Sequence, residues 1–257
     1  MFVPDACTPI LFIWSCSVRR RRRLRVHAGD QLIELDVCIT PEQAKQFEPL
    51  PQEMSDSTSG RQRRKRQAMD AAAFPIWRGA VIPYVFNLSF STSDRNLVLT
   101  AMAEWELVTC VRFRPATAED IDLVIFRDGS RSEFSSTCHV LDKYWAVGGP
   151  QVLTLAQPCR TKRILIHELG HVLGLIHEHQ RHDRDTYVHV LLQNVRNSTQ
   201  ERYQFSKLSL RPLTDGQVEY SYTSIMHYGR NNIIGRAEVP SPSDAEAINL
   251  LYGCEGR

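Results

Sequence analysis

His167, Glu168, His171 and His177 stand in the string "HELGHVLGLIHEHQRHDRD", residues 167–185, at spacings that can do chemistry. On a helix, residues four apart lie one turn apart on one face, so the imidazoles of His167 and His171 can reach one metal ion together. Gly174 follows three residues after His171. A glycine there can take the left-handed conformation that ends a helix, so the chain can turn and return His177 to the same ion. Three neutral imidazoles with one position left open are the donor set of a catalytic zinc ion rather than a structural one. Glu168, beside the first ligand, can then act as general base toward a water in the open position. A bare His-Glu-x-x-His occurs by chance in many proteins; the glycine and the third histidine at fixed offsets separate this string from a polar helix that is merely rich in histidine. His27, His139, His179, His182 and His189 read as solvated or core hydrogen-bonding residues.

These groups need elements to position them. "CRTKRILIHELGHVLGLI" reads as a helix buried on its Ile/Leu/Val side. In "TSDRNLVLTAMAEWELVT", Val98, Ala101, Met102, Trp105 and Val108 recur every three or four residues, which predicts a core-packed helix with Ser93 or Asp94 as N-cap. "SDAEAINLLY" predicts a further helix with Ser243 and Glu246 at capping-box spacing. Short β-branched or alternating runs at 81–88, 110–117, 120–128 and 151–156 predict strands. The whole is mixed α/β.

At 257 residues, 42% hydrophobic and 23% charged, the chain has the composition of a globular protein with one large domain and an appendage. A net charge of +2 argues for neither nucleic-acid nor membrane-surface binding, and no apolar run approaches transmembrane length. The charge is uneven: residues 1–66 hold 12 Lys+Arg against 8 Asp+Glu, a net of +4, leaving −2 for 67–257. Residues 1–18 contain an apolar stretch that follows Asp5 and precedes the arginines from Arg19 to Arg25, so they read either as an atypical leader or as a disordered start. The run "RQRRKR", ending at Arg66, follows a Pro/Ser/Gly-containing linker. It reads either as a cleavage site for a processing protease or as a solvated basic run.

Cysteine arithmetic decides between those readings. Seven cysteines are present, and a cut after Arg66 removes Cys7, Cys16 and Cys38, leaving Cys110, Cys138, Cys159 and Cys254, which can all pair. With sequons at Asn87 and Asn197, this favours an oxidising, secretory setting. The division is therefore 1–18 as an atypical leader or disordered start, 19–66 as pro-segment ending in the basic run and 67–257 as catalytic domain.

With these motifs the chain resembles the astacin-like metallopeptidases, within the metzincin zinc peptidases. The family continues the His-Glu-x-x-His-x-x-Gly-x-x-His pattern with Glu and then Arg-x-Asp-Arg-Asp, matched by Glu178, Arg181, Asp183, Arg184 and Asp185; Leu175 stands where the family usually has Phe. "SIMHYG", residues 224–229, resembles the family's Met-turn. The resemblance implies that Met226 floors the three imidazoles and that Tyr228 is an additional zinc ligand that swings away to hydrogen-bond the oxyanion. It also implies disulfides Cys110 to Cys254 and Cys138 to Cys159, and "GGPQVLTLA" as the edge strand that aligns substrate. "HAGD" resembles a zymogen motif whose aspartate, here Asp30, occupies the zinc, with His27 where the family has Phe.

The fold implied is that of the metzincins: a twisted, mainly parallel sheet, two long helices over an active-site cleft and a smaller irregular C-terminal half. The function implied is a secreted zinc endopeptidase made as a zymogen, with one zinc per catalytic domain and protein or peptide substrates. A monomer of the minimal hatching-enzyme type is expected. The segment between Tyr228 and the last helix, "GRNNIIGRAEVPSP", is shorter than in the family. It motivates one alternative, a zinc-binding pseudoenzyme that uses the cleft as a protein-binding surface.

Overall fold

The computed structural model describes residues 76–87, 90–129, 138–141, 149–194, 202, 204–207, 217–228 and 236–254, with the backbone alone for 138–141 and 194. Among them the chain runs β1 (Val81–Phe86), α1 (Thr92–Val108), β2 (Arg112–Pro115), β3 (Val124–Asp128), β4 (Cys138–Leu141), β5 (Gln151–Leu155), α2 (Lys162–Val172) and α3 (Pro242–Tyr252). Between α2 and α3 the described backbone includes short 3-10 turns at Glu178–Gln180, Arg184–Thr186 and Leu192–Asn194. This is the irregular C-terminal half.

The sheet order is β2-β1-β3-β5-β4. β1 pairs in parallel with β2 and β3, and β3 with β5, while β4 runs antiparallel to β5. Parallel neighbours need a crossover, and α1 supplies it between β1 and β2. One expectation is corrected here. The strand at 151–155 is not the edge, because β5 is paired on both sides and the edge is β4. Gln151, Leu153, Thr154 and Leu155 are all buried, as expected of a strand covered on both faces. β4, four residues long, is too short to show an alternating pattern in the sequence.

α1 buries Val98, Ala101, Met102 and Trp105, with Val108 half-buried at its end. Its N-cap is Ser91 rather than Ser93 or Asp94. Ser91 Oγ accepts from the Asp94 amide (3.1 Å) and donates to the Asp94 carboxylate (2.6 Å), so Asp94 works from inside the first turn. Trp105 joins the two long helices: its indole N–H donates to Ile166 O of α2 at 2.9 Å.

α2 opens on Thr161, whose Oγ1 accepts from the Ile164 amide, and every residue from Leu165 to Val172 is buried. A buried helix end needs partners for its last carbonyls. Val172 O accepts from the Trp77 indole (2.8 Å) and Leu173 O from the Tyr252 hydroxyl (3.1 Å). Tyr252 belongs to α3, so the two ends of the domain close over the helix that carries the candidate ligands.

α3 also starts two residues before the predicted cap. Ser241 and Asp244 form the capping box, with Pro242 at the first helical position. Proline's fixed φ and missing N–H suit that position, which puts the cap at Ser241 and leaves Ser243 within the first turn. Cys110 and Cys254 form a disulfide. Cys159 is disulfide-bonded as well, and the side chain of Cys138, its expected partner, lies outside the described residues.

Candidate metal centre

α2 presents His167 and His171 one turn apart with Glu168 between them, all three buried. At Gly174 the backbone takes φ +100°, which L side chains rarely adopt. The turn does two things. It brings the Leu175 carbonyl back onto His171, whose Nδ1–H donates to it at 2.8 Å, and it sends the chain round to His177. Close packing below α2 explains a second glycine. A Cβ at Gly170 would sit 2.5 Å from Met226 Sδ and 3.3 Å from Trp105 Cζ2.

The three imidazoles are oriented alike. His167 Nδ1 donates to Ile225 O (2.7 Å), His171 Nδ1 to Leu175 O and His177 Nδ1 to Gln180 Oε1 (3.2 Å). A carbonyl oxygen only accepts, so each neutral ring carries its proton on Nδ1 and offers Nε2 as a lone pair. Those lone pairs converge: His177 Nε2 is 3.2 Å from His171 Nε2 and 3.3 Å from His167 Nε2. With no proton between them, these are not hydrogen bonds, and a cation is what makes such an approach favourable. Tetrahedral zinc with Zn–N of about 2.0–2.1 Å sets its nitrogens about 3.3–3.4 Å apart, so the donor set fits that ion. Among the described residues this is the one cluster of potential metal ligands.

The Met-turn supports this cluster from the far end of the chain. Ile225 O accepts from His167 Nδ1, and Met226 O accepts from the Glu178 amide at 3.0 Å, directly after His177. Asp244 holds the turn in place. Its carboxylate accepts from Ser224 Oγ (2.6 Å) and the Ile225 amide (2.9 Å) while also accepting from the Ser241 amide (2.8 Å) at the α3 cap.

The string after His177 is an ionic knot. Arg181 grips Asp183 with two bonds (2.9 and 2.8 Å), reaches Glu178 Oε1 at 3.2 Å and donates to Val218 O at 2.9 Å. Arg184 donates to His179 O (2.9 Å) and to Phe205 O, and pairs with Asp185. Burial pushes the Glu178 carboxyl up to about 7, against the pull of Arg181 and of the Ser221 amide. Burial likewise holds His179 and His227 below the usual imidazole range. His179 is buried and hydrogen-bonded, to Gln204 O at 3.1 Å, in keeping with a core histidine.

Tyr228 is half-buried, its ring 4.5 Å from that of His177 and 4.0 Å from that of His179, and its hydroxyl donates to Gln204 Oε1 at 3.3 Å. The structure thus brings together His167, Glu168, His171, Gly174, His177, Glu178, Met226 and Tyr228. Asn87 is exposed just after β1. Asp30, Arg66, Asn197 and most of the segment between Tyr228 and α3 lie outside the described residues. Sequence reasoning passed over Gln180, Gln204 and Asp244. For Asp244 the signal was present, since Ser-Pro-x-Asp at 241–244 is itself a capping pattern; a glutamine in a polar string carries none.

Comparison with known proteins agrees with this geometry. The sequence profile of Astacin, a peptidase family, matches residues 70–240. Blastula protease 10 of Paracentrotus lividus is 30% identical over 245 residues, 86% of this chain and 38% of that protein. Zinc metalloproteinase nas-13 of Caenorhabditis elegans is 33% identical over 196 residues, 69% of this chain and 41% of that protein. Tolloid-like protein 2 of Homo sapiens is 35% identical over 168 residues, 65% of this chain and 16% of that protein. The chain therefore spans less than half the length of each of these relatives. Among solved structures, High choriolytic enzyme 1, a hatching enzyme zinc-protease from Oryzias latipes, superposes with a TM-score of 0.62 at 28% identity, covering 75% of this chain and 100% of that one.

Proposed function

Because the chain belongs to the astacin family of peptidases, we propose that it is a zinc endopeptidase that hydrolyses peptide bonds in proteins. The observation that carries this reading is the convergence of three buried imidazole Nε2 atoms beside the carboxylate of Glu168. His167, His171 and His177 would hold the zinc, which when bound would supply Lewis acidity to water and to the scissile carbonyl. Glu168 takes a proton from the attacking water and passes it to the leaving amine. Tyr228 donates to the carbonyl oxygen as negative charge builds there, which favours the transition state over the bound peptide. Its resting bond to Gln204, at 3.3 Å, is long for an O–H···O bond, so leaving it costs little. An extended substrate adds to β4, which among the described residues pairs with β5 alone.

The same reading covers the remainder of the chain. Residues 1–18 would act as an atypical leader and 19–66 as pro-segment, with Asp30 the residue that would occupy the zinc site until a processing protease cuts after Arg66. The family match, which opens at residue 70, supports that boundary. Disulfide bonding at Cys110, Cys159 and Cys254 supports secretion, with glycans on Asn87 and Asn197. No described helix is long and apolar enough to cross a membrane.

The test is cleavage of a denatured protein by the processed chain. Proteolysis is expected to stop with a strong chelator and to return with added zinc. Stoichiometric zinc with no cleavage of any denatured substrate would contradict the endopeptidase reading and leave a zinc-binding module.

A further inference from the structure

His167 and His171 are both oriented by backbone carbonyls, of Ile225 and Leu175. His177 differs, because its Nδ1 partner is a side chain, Gln180 Oε1. A carboxamide could face either way, and here its other end decides. Gln180 Nε2 donates to Gln204 O at 3.0 Å, and a carbonyl cannot donate, so the amide nitrogen must point at Gln204 and the amide oxygen at His177. Gln204 O also accepts from His179 Nε2 at 3.1 Å, which uses both lone pairs of that oxygen and fixes the acceptor from a second direction. Gln180 is buried, so no bulk water competes for either end.

We propose that Gln180 is a positioning residue for the third zinc ligand: its amide oxygen holds the His177 proton on Nδ1, keeps Nε2 bare and aimed at His167 and His171, and so sets the zinc affinity of the centre. The inference rests on the zinc reading above and deepens it. Groups that orient metal-bound imidazoles typically contribute about 10–100-fold to metal affinity. The other two ligands would retain their orientation in any Gln180 variant, because main-chain carbonyls are not removed by substitution.

The test is zinc binding by the full chain, measured by competition with a chromophoric chelator, on wild type, Gln180→Leu and Gln180→Glu. Unfolding of the metal-free proteins and the visible spectrum of their cobalt-substituted forms are recorded alongside. Gln180→Leu removes the acceptor at similar size and is expected to weaken zinc about 10–100-fold and to shift the cobalt spectrum. Gln180→Glu keeps an acceptor for the His177 proton and is expected to bind zinc within about threefold of wild type, even though its repulsion with Gln204 O lowers the unfolding temperature of the metal-free protein. A merely structural role predicts the opposite order, with zinc affinity following unfolding temperature, and that result overturns the proposal. Equal zinc affinity in wild type and Gln180→Leu overturns it too. If Gln180→Leu does not fold, the Gln180→Glu arm decides, and a loss of zinc there of tenfold or more counts against the proposal. A wild type that binds no zinc defeats the zinc reading itself, a result separable from the others.

Discussion

Glu168 and Tyr228 have different proposed roles at the same centre, and single substitutions should separate them. The ligand imidazoles are oriented by hydrogen bonds to Ile225, Leu175 and Gln180. Glu168→Ala is therefore expected to keep zinc and to lose nearly all turnover, because the proton of the attacking water then has no acceptor. Tyr228→Phe removes one donor to the developing oxyanion and is expected to lower kcat by about 10²–10³-fold, or roughly 2.7–4 kcal/mol, with zinc content unchanged. Steady-state kinetics with metal analysis on both variants is the check. Unimpaired turnover in Glu168→Ala would refute the assigned base. At this scale most of the candidate site was legible, since spacings of three and four residues are local and survive without any knowledge of the fold. Gln180 was not legible, because its role depends on Gln204, 24 residues away, accepting from its nitrogen.

Between elements, Asp244 connects parts that are distant in sequence. It caps α3 through Ser241 and holds Ser224 and Ile225, so the carbonyl that orients His167 is anchored by the last helix. Asp244→Ala would leave the buried amides of Ile225 and Ser241 unpaired. At about 1–3 kcal/mol for each unmet donor, the expected loss of stability is about 2–6 kcal/mol, measured by thermal or denaturant unfolding. Glu246→Ala, on the exposed side of the same helix, is expected to change stability by less than about 0.5 kcal/mol. The pair distinguishes a cap at Ser241 and Asp244 from one at Ser243 and Glu246; the reverse order of effects would restore the latter. The helices themselves were readable from their apolar stripes, but capping depended on competition between adjacent serines that Pro242 settled. The edge of the sheet was hidden for another reason. Strand pairing is non-local, and the well-patterned run at β5 drew the assignment away from four residues at β4.

For the molecule as a whole, the proposed latency would join the first quarter of the chain to the centre. Asp30 lies 36 residues before Arg66, ample chain to cross a cleft. Gly29 permits the backbone to approach closely, whereas Glu34 and Asp36 sit in the alternating run "QLIELDV". Blocking the cut with Arg66→Ala is expected to give silent protein, and adding Asp30→Ala is expected to release measurable peptidase activity without removal of the pro-segment. Activity awakened by Asp36→Ala rather than Asp30→Ala would move the ligand, and silence in all combinations would leave steric blockage alone.

The central claim is that one zinc ion sits on His167, His171 and His177 and is required for cleavage. The most direct measurement is zinc per chain, by elemental analysis, on purified wild type and His171→Ala, with proteolysis followed on the same samples. About one equivalent in wild type, with zinc and cleavage both lost in His171→Ala, is the expected result. Zinc retained in full by His171→Ala, or cleavage that persists without zinc, would contradict it.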